Sequence, residues 1–262
     1  LLPFYTDLTR LYAFYMHQVD SALYWVKKAA NLPQLSVMDE NKVKILEADV
    51  KLVDGQIFDA TLIYAAVERD LKNNPIGYEA KLKKALMAFY QCDFQWALGQ
   101  VDVLKASTSK LIANDAAELS LQISENQTED SVQTALCRFA KARLAKHQHQ
   151  DTIAIKILDS LITKYPNHPV LDDVLMNKAE LLRARGDYEE SANLYMRVFE
   201  EFAQEPFAAE AGFHAAVLFE EKLKKQTKAF DIFKMLLKHY PMSIYQPTVR
   251  KHIRNLRKNI VN

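Results

Sequence analysis

The sequence predicts an all-α solenoid of about fourteen helices in antiparallel pairs. Three observations carry that prediction. The segments Tyr165-Pro166-Asn167-His168-Pro169, Phe202-Ala203-Gln204-Glu205-Pro206 and Tyr240-Pro241-Met242-Ser243-Ile244 stand 37 and 38 residues apart. Each aromatic closes an apolar helical run, and the polar turn after it opens another; a fixed period of this size marks a repeat architecture. Only 5 glycines and 8 prolines occur in 262 residues, too few for a chain rich in tight hairpins. Alternating β-branched runs, the mark of strands, are absent.

The elements follow in order. Leu8, Leu11, Tyr12 and Tyr15 fall on one helical face, and Ser21 to Ala30 continues as a second helix before Pro33. Asp39 to Val53 and Phe58 to Leu71 form the next pair, stopped by Asn73-Asn74-Pro75. Tyr78 to Tyr90 pairs with Phe94 to Lys105. The early rings Phe4, Tyr5, Tyr12, Phe14, Tyr15, Tyr24 and Trp25 are expected in the core, with a partner-binding patch as the alternative. Ser107 to Gln127 breaks the rhythm and reads as one inserted helix. Its last residues begin a glycosylation sequon, Asn126-Gln127-Thr128, which says little without a known compartment. Pairing resumes at Asp130: Val132 to Lys146 with Thr152 to Tyr165, Leu171 to Arg185 with Tyr188 to Phe202, and Phe207 to Leu223 with Lys228 to Tyr240. Pro247 to Ile260 is a last, basic helix. Ala154, Ala192 and Ala229, 38 and 37 apart, supply a small residue where helices approach closely. The expected division is therefore 1–107, degenerate helix pairs; 108–129, a linking helix; and 130–262, regular pairs with a basic cap.

Composition excludes several classes. No run of about 18 uncharged apolar residues exists, so no membrane-spanning helix is expected. The chain begins at Leu1, as expected of a mature or trimmed fragment, so a signal peptide or lipid-anchor cysteine would lie outside it. Formal net charge is +1, but it is unevenly spread. Between Glu189 and Glu221, 8 acidic residues stand against one arginine; from Lys222 onward, 11 basic residues stand against Asp231. Such faces are read as solvated, with docking to an acidic partner or membrane surface as the sharper alternative. Cys92 and Cys137 are far apart in sequence and outside any CxxC, and are read as small core residues, neither a disulfide nor a ligand pair.

At Gly186-Asp187-Tyr188-Glu189-Glu190-Ser191-Ala192, with Tyr195 a turn later, the chain resembles a tetratricopeptide repeat. The family's tryptophan early in the first helix is replaced here by Leu175 and its glycine by Ala179, while its closing proline survives at Pro166 and Pro241. The resemblance implies a right-handed α-α superhelix whose surfaces bind protein segments. The Tyr-Pro turns resemble those of bacterial cell-envelope members of that family. A second block, Cys92-Asp93-Phe94-Gln95-Trp96-Ala97 with Val103 to Ala116, resembles large tetratricopeptide proteins of Bacteroidota type, which implies export to the periplasm.

Catalytic spacing is missing. The chain has no GxGxxG, P-loop, HExxH or GxSxG, so no enzyme activity, cofactor or small-molecule substrate is expected. His147-Gln148-His149 with Asp151 comes nearest to a metal cluster and reads as a solvated turn; no metal is expected. Glu200-Glu201 and Glu220-Glu221 are adjacent on helices and diverge, which does not suit an acid–base pair. Nucleic acid is not expected, because the basic charge is confined to one end.

Aligning the turns gives equivalent first-helix positions, where stacked repeats would build a binding groove. Asp173 matches Glu210 and Thr248; Asn177 matches His214 and His252; Arg183 matches Glu220 and Lys258. The candidate partner-binding residues are thus Asp173, Asn177, Arg183, Glu210, His214, Glu220 and His252. The expected function is a non-catalytic protein-interaction scaffold in a bacterial envelope complex of outer-membrane assembly, secretion or surface type. Membrane contact is expected only through a lipid anchor outside the sequence or the basic last helix. The alternative is a regulatory module of a larger cytoplasmic protein.

Overall fold

The three spaced turns fold alike. His168 N–H donates to Tyr165 O at 3.2 Å and Leu171 N–H to His168 O at 3.0 Å. Glu205 to Phe202 and Ala208 to Glu205 repeat this pair of bonds, as do Ser243 to Tyr240 and Gln246 to Ser243. The sequence period is therefore a backbone period.

The structure, a computed structural model, describes residues 1–106, 109–128 and 133–260, the last three of these as backbone only. They form fourteen α-helices and no strand among the described residues. These are α1 (Leu2–Arg10), α2 (Val19–Ala30), α3 (Val37–Val53), α4 (Ile57–Asp70), α5 (Pro75–Tyr90), α6 (Phe94–Leu104) and α7 (Lys110–Asn126). Then come α8 (Thr134–His147), α9 (Asp151–Lys164), α10 (Leu171–Arg185), α11 (Tyr188–Glu201), α12 (Ala208–Val217), α13 (Gln226–His239) and α14 (Gln246–Ile260). Asp130 and Val132, where pairing is expected to resume, and Ser107 and Thr108 of the second resemblance lie outside the described residues.

Each first helix ends on one residue with positive φ: His17, Gly55, Cys92, His149, Gly186 and Lys224. The next N–H then folds back onto a helix carbonyl, as in Asp187 N to Leu182 O at 2.9 Å and Gln56 N to Lys51 O at 2.8 Å. In the first and last pairs the bond reaches one residue further, Gln18 to Tyr12 and Lys225 to Phe219. There α1 and α12 run on into π-helical turns, Leu11–Tyr15 and Leu218–Lys222, which absorb an extra residue.

This register organises the core. Five residues after each turn residue stand Ala22, Ala60, Ala97, Ala154, Ser191 and Ala229, all 0% exposed. Nine residues after stand Val26, Tyr64, Val101, Leu158, Tyr195 and Phe233, none more than 1% exposed. A small residue lets the helices approach, and a large one a turn later fills the space between them. Ser191, not Ala192, is the equivalent of Ala154 and Ala229, and its hydroxyl donates to Ala179 O at 2.7 Å. The one irregular interval, from Cys92 to His149, is longer by about one helix with its loop, and it contains α7.

The chain divides into two compact units, Leu1–Ala154 and Ile155–Asn262. In the first, helices α1 to α6 pack on their sequence neighbours, α7 packs on α6 and α5, and α8 packs on α5. The end of α8 meets the ends of earlier first helices: Gln148 Nε2 donates to Leu52 O of α3 at 3.0 Å, and the His149 ring lies 4.0 Å from that of His17. Here the structure corrects the reading of the cysteines. Cys92 and Cys137, 45 residues apart, are joined as a disulfide across the stretch that holds α7. Spacing alone could not bring them together, because α8 packs back on α5 only after α7 has intervened. The early aromatics also depart from expectation: Phe4, Tyr15 and Tyr24 are exposed, while Tyr5 stacks on Trp25 at 5.6 Å. Asn126 of the sequon is 2% exposed and donates to Gln122 O at 2.8 Å, so its amide does not face solvent.

In the second unit α10 to α14 share one core, from Leu171 and Leu175 through Tyr195 and Phe233 to Leu256. Asp172, at the start of α10, is 7% exposed. Burial, with the charges of Asp173 and Glu205, pushes its carboxyl up to about 7. The folded state therefore holds this proton more tightly than the unfolded chain, and the associated stability is present below about pH 4 and lost as pH rises toward 7. Asp172→Asn is expected to flatten that slope and add about 2–3 kcal/mol at pH 8. Urea midpoints of both proteins at pH 5 and pH 8 measure this; parallel pH dependences would contradict it.

Candidate interaction site

The site is built on the first helices α10 and α12 and on α14, all in the second unit. Their register brings several of the sequence-predicted residues together. Arg183, exposed at the end of α10, places a guanidinium nitrogen 3.3 Å from His214 Nδ1 on α12. His214 Nε2 lies 3.4 Å from Glu210, one turn back on the same helix. Glu220, on the π-helical turn, meets His252 Nδ1 of α14 at 2.6 Å. Two charge-bearing clusters thus span the three helices.

Two other candidates fall elsewhere. Asp173 is 4% exposed, so its carboxylate does not line a solvent face, which corrects its expected place in the groove. It begins a helix whose first turn packs into the core. Asn177 is half-buried and donates its amide back to Asp173 O at 3.0 Å. The Lys258 side chain lies outside the described residues.

Aromatic rings join the two clusters, and turn alignment does not reveal them. Phe213 stacks on Tyr245 at 4.6 Å and meets His252 edge-on at 6.2 Å. Tyr195 lies 5.4 Å from His214, and Phe233 stacks on His252 at 4.9 Å. The one signal in the sequence was the pair Phe213-His214, an aromatic beside a predicted groove residue.

Beneath this layer the Tyr195 hydroxyl is buried without a hydrogen-bond partner. Burial raises its phenol well above the usual range; Arg183 opposes this, while Glu180 and Glu210 add to it. A buried hydroxyl without a partner costs about 1–3 kcal/mol. The arrangement offers a guanidinium, two carboxylate–imidazole pairs and flat rings. Such a surface suits hydrogen bonding to an extended peptide. Among the described residues no group of three or more His, Cys, Asp or Glu is gathered as a metal site. No described helix is long and apolar enough to cross a membrane.

Residues 133–168 and 210–243 match the family model described as tetratricopeptide repeat. The first segment spans α8 and α9, the second most of α12 and α13. No curated protein matches the chain. Among solved structures, the chain is similar to the TPR domain of P58(IPK), with 15% identity and TM-score 0.39 over 98% of this chain and 64% of that one. It is also similar to a tetratricopeptide repeat protein from Parabacteroides merdae ATCC 43184, with 12% identity and TM-score 0.36 over 98% of both chains.

Proposed function

We propose that this chain is a non-catalytic scaffold that binds a segment of a partner protein along the face shared by α10, α12 and α14, in the envelope of a bacterium. The observation that carries this reading is the pair of clusters, Arg183 with His214 and Glu210, and Glu220 with His252, laid over the unpartnered Tyr195 hydroxyl. The repeat-family segments on α8–α9 and α12–α13 support a protein partner. The Cys92–Cys137 disulfide supports an oxidising compartment. The envelope-type turns and the Bacteroidota-type block of the sequence support the periplasm, with partners drawn from outer-membrane assembly, secretion or surface complexes. On this reading α7 links two sets of helix pairs.

The test uses tagged full-length protein purified from its native cells after mild cross-linking. Arg183→Glu is expected to lose the partner that the parent recovers. Tyr195→Phe is expected to raise stability slightly, by about 1 kcal/mol, because it removes an unsatisfied group, and to leave recovery unchanged, because the hydroxyl lies beneath the surface. Unchanged recovery by Arg183→Glu would reject the face. Thiol alkylation in intact cells, with no labelling until reductant is added, tests the compartment; free thiols in untreated cells would reject it.

A further inference from the structure

A second surface of the same unit has different chemistry. A cavity of about 620 Å³ lies where the ends of α11 and α13 flank the turn after Phe202. Its lining includes Phe199, Tyr240, Met235, His239, Glu200 and Glu205. The aromatic wall is fixed in place. Phe199 and Tyr240 rings lie 5.8 Å apart, and the Tyr240 hydroxyl donates to Ala203 O at 3.0 Å. Gly212 backs the Phe199 ring so closely that a Cβ there would sit 2.6 Å from it.

The notch itself belongs to the fold. In the first unit the equivalent place, counted from the positive-φ turn residues, is lined by Glu68, Lys72, Asn73 and Val103, and holds only about 290 Å³. There the acidic charge is answered: Glu68 pairs with Lys81 at 3.6 Å and with Lys84. In the second unit Phe199, Ala203, Gln204 and Met235 take those four positions. Of the acidic residues between Glu189 and Glu221, Glu189, Glu190 and Glu201 pair with Lys225, Lys178 and Arg197. Glu210 and Glu220 face histidines. Three have no ion-pair partner among the described residues: Glu221, outside the cavity, and Glu200 and Glu205, which both line it.

We propose that this notch receives an arginine side chain from a basic segment of a partner protein. A planar guanidinium lies flat against an aromatic face and hydrogen-bonds carboxylates at its edge, which matches the partly exposed Tyr240 ring, backed by the buried Phe199, beside two unpaired glutamates. Desolvating the guanidinium against that wall strengthens both contacts. The surface belongs to α11, α13 and their turns, so it is separate from Arg183 and His214, and the two can be disabled independently.

Fluorescence anisotropy of the full chain with a short fluorescein-labelled Gly/Ser peptide carrying arginine tests this. Saturable binding is expected, weakened about tenfold by Glu200→Gln with Glu205→Gln and by citrulline in place of arginine. Both glutamates are exposed, so the double variant is expected to fold, as circular dichroism checks. Glu221→Gln, an exposed carboxylate outside the cavity, is expected to leave binding unchanged. Failure of the peptide to bind, equal binding by the double variant, or an equal loss with Glu221→Gln would overturn the proposal.

Discussion

Gly77→Ala is expected to cost about 2–4 kcal/mol of folding stability, although alanine is the better helix former. Gly77 lies in the first turn of α5, which starts at Pro75 with Asn74 capping Ile76 N–H at 2.9 Å. A Cβ there would sit 2.1 Å from the Leu71 carbonyl oxygen and 2.9 Å from its carbon. That carbonyl already accepts from Asn74 N–H at 3.1 Å, so the neighbour is fixed backbone, not a side chain that can swing away. The turn between α4 and α5 must open, or α5 must shift. Gly99→Ala is the matched control, because nothing lies within 4 Å of a Cβ in the interior of α6. It is expected to stabilise by about 0.5–1 kcal/mol through helix propensity and a more restricted unfolded chain. Opposite shifts in urea midpoint check both; a Gly77→Ala midpoint equal to the parent's would contradict the close approach of α5 to the turn.

Cys92→Ala with Cys137→Ala is expected to cost about 2–4 kcal/mol, since the cross-link closes a long loop in the unfolded chain. The loop spans 45 residues and includes α7. Cys92 also carries positive φ, at a register position where two other pairs have glycine, Gly55 and Gly186. Cys92→Gly with Cys137→Ala is therefore expected to recover part of the loss, about 0.5–1 kcal/mol, by removing a side chain from the left-handed region. Denaturation of the three proteins under oxidising conditions measures this. The same comparison under reductant is expected to erase the difference between the parent and the double alanine variant; a gap that persists there would show that the cysteines act by packing instead.

Much of this architecture was legible in the sequence because repetition multiplies weak signals. One Tyr-Pro is only a turn, but Tyr165, Phe202 and Tyr240 at near-constant spacing make three statements of one geometry. The break of rhythm at α7 was legible for the same reason. The disulfide was not: it depends on how α8 packs against α5, a long-range fact with no local signature. The small residue at Ser191 was legible from its place three after Tyr188 in the repeat-like motif, whereas the spacing of alanines pointed to Ala192; both are buried, and the hydrogen-bond register decides for Ser191. Turn alignment placed Arg183, Glu210, His214, Glu220 and His252 on neighbouring first helices, and each then found a charged or imidazole neighbour. It misplaced Asp173, whose position in the first helical turn faces inward, and it could not rank Tyr195, which reads as an ordinary core aromatic until its hydroxyl is seen without a partner.

The most direct measurement is site-specific photocross-linking in native cells. A photoreactive residue replaces Arg183 at the end of α10 or, as control, Lys156, exposed on the second helix α9 and away from both proposed surfaces. Mass spectrometry then identifies what each has joined. One dominant protein is expected to be captured at position 183, joined through an extended segment, and not at position 156. Equal capture at both positions, or capture at 156 alone, would contradict the assignment of partner binding to the face of α10, α12 and α14.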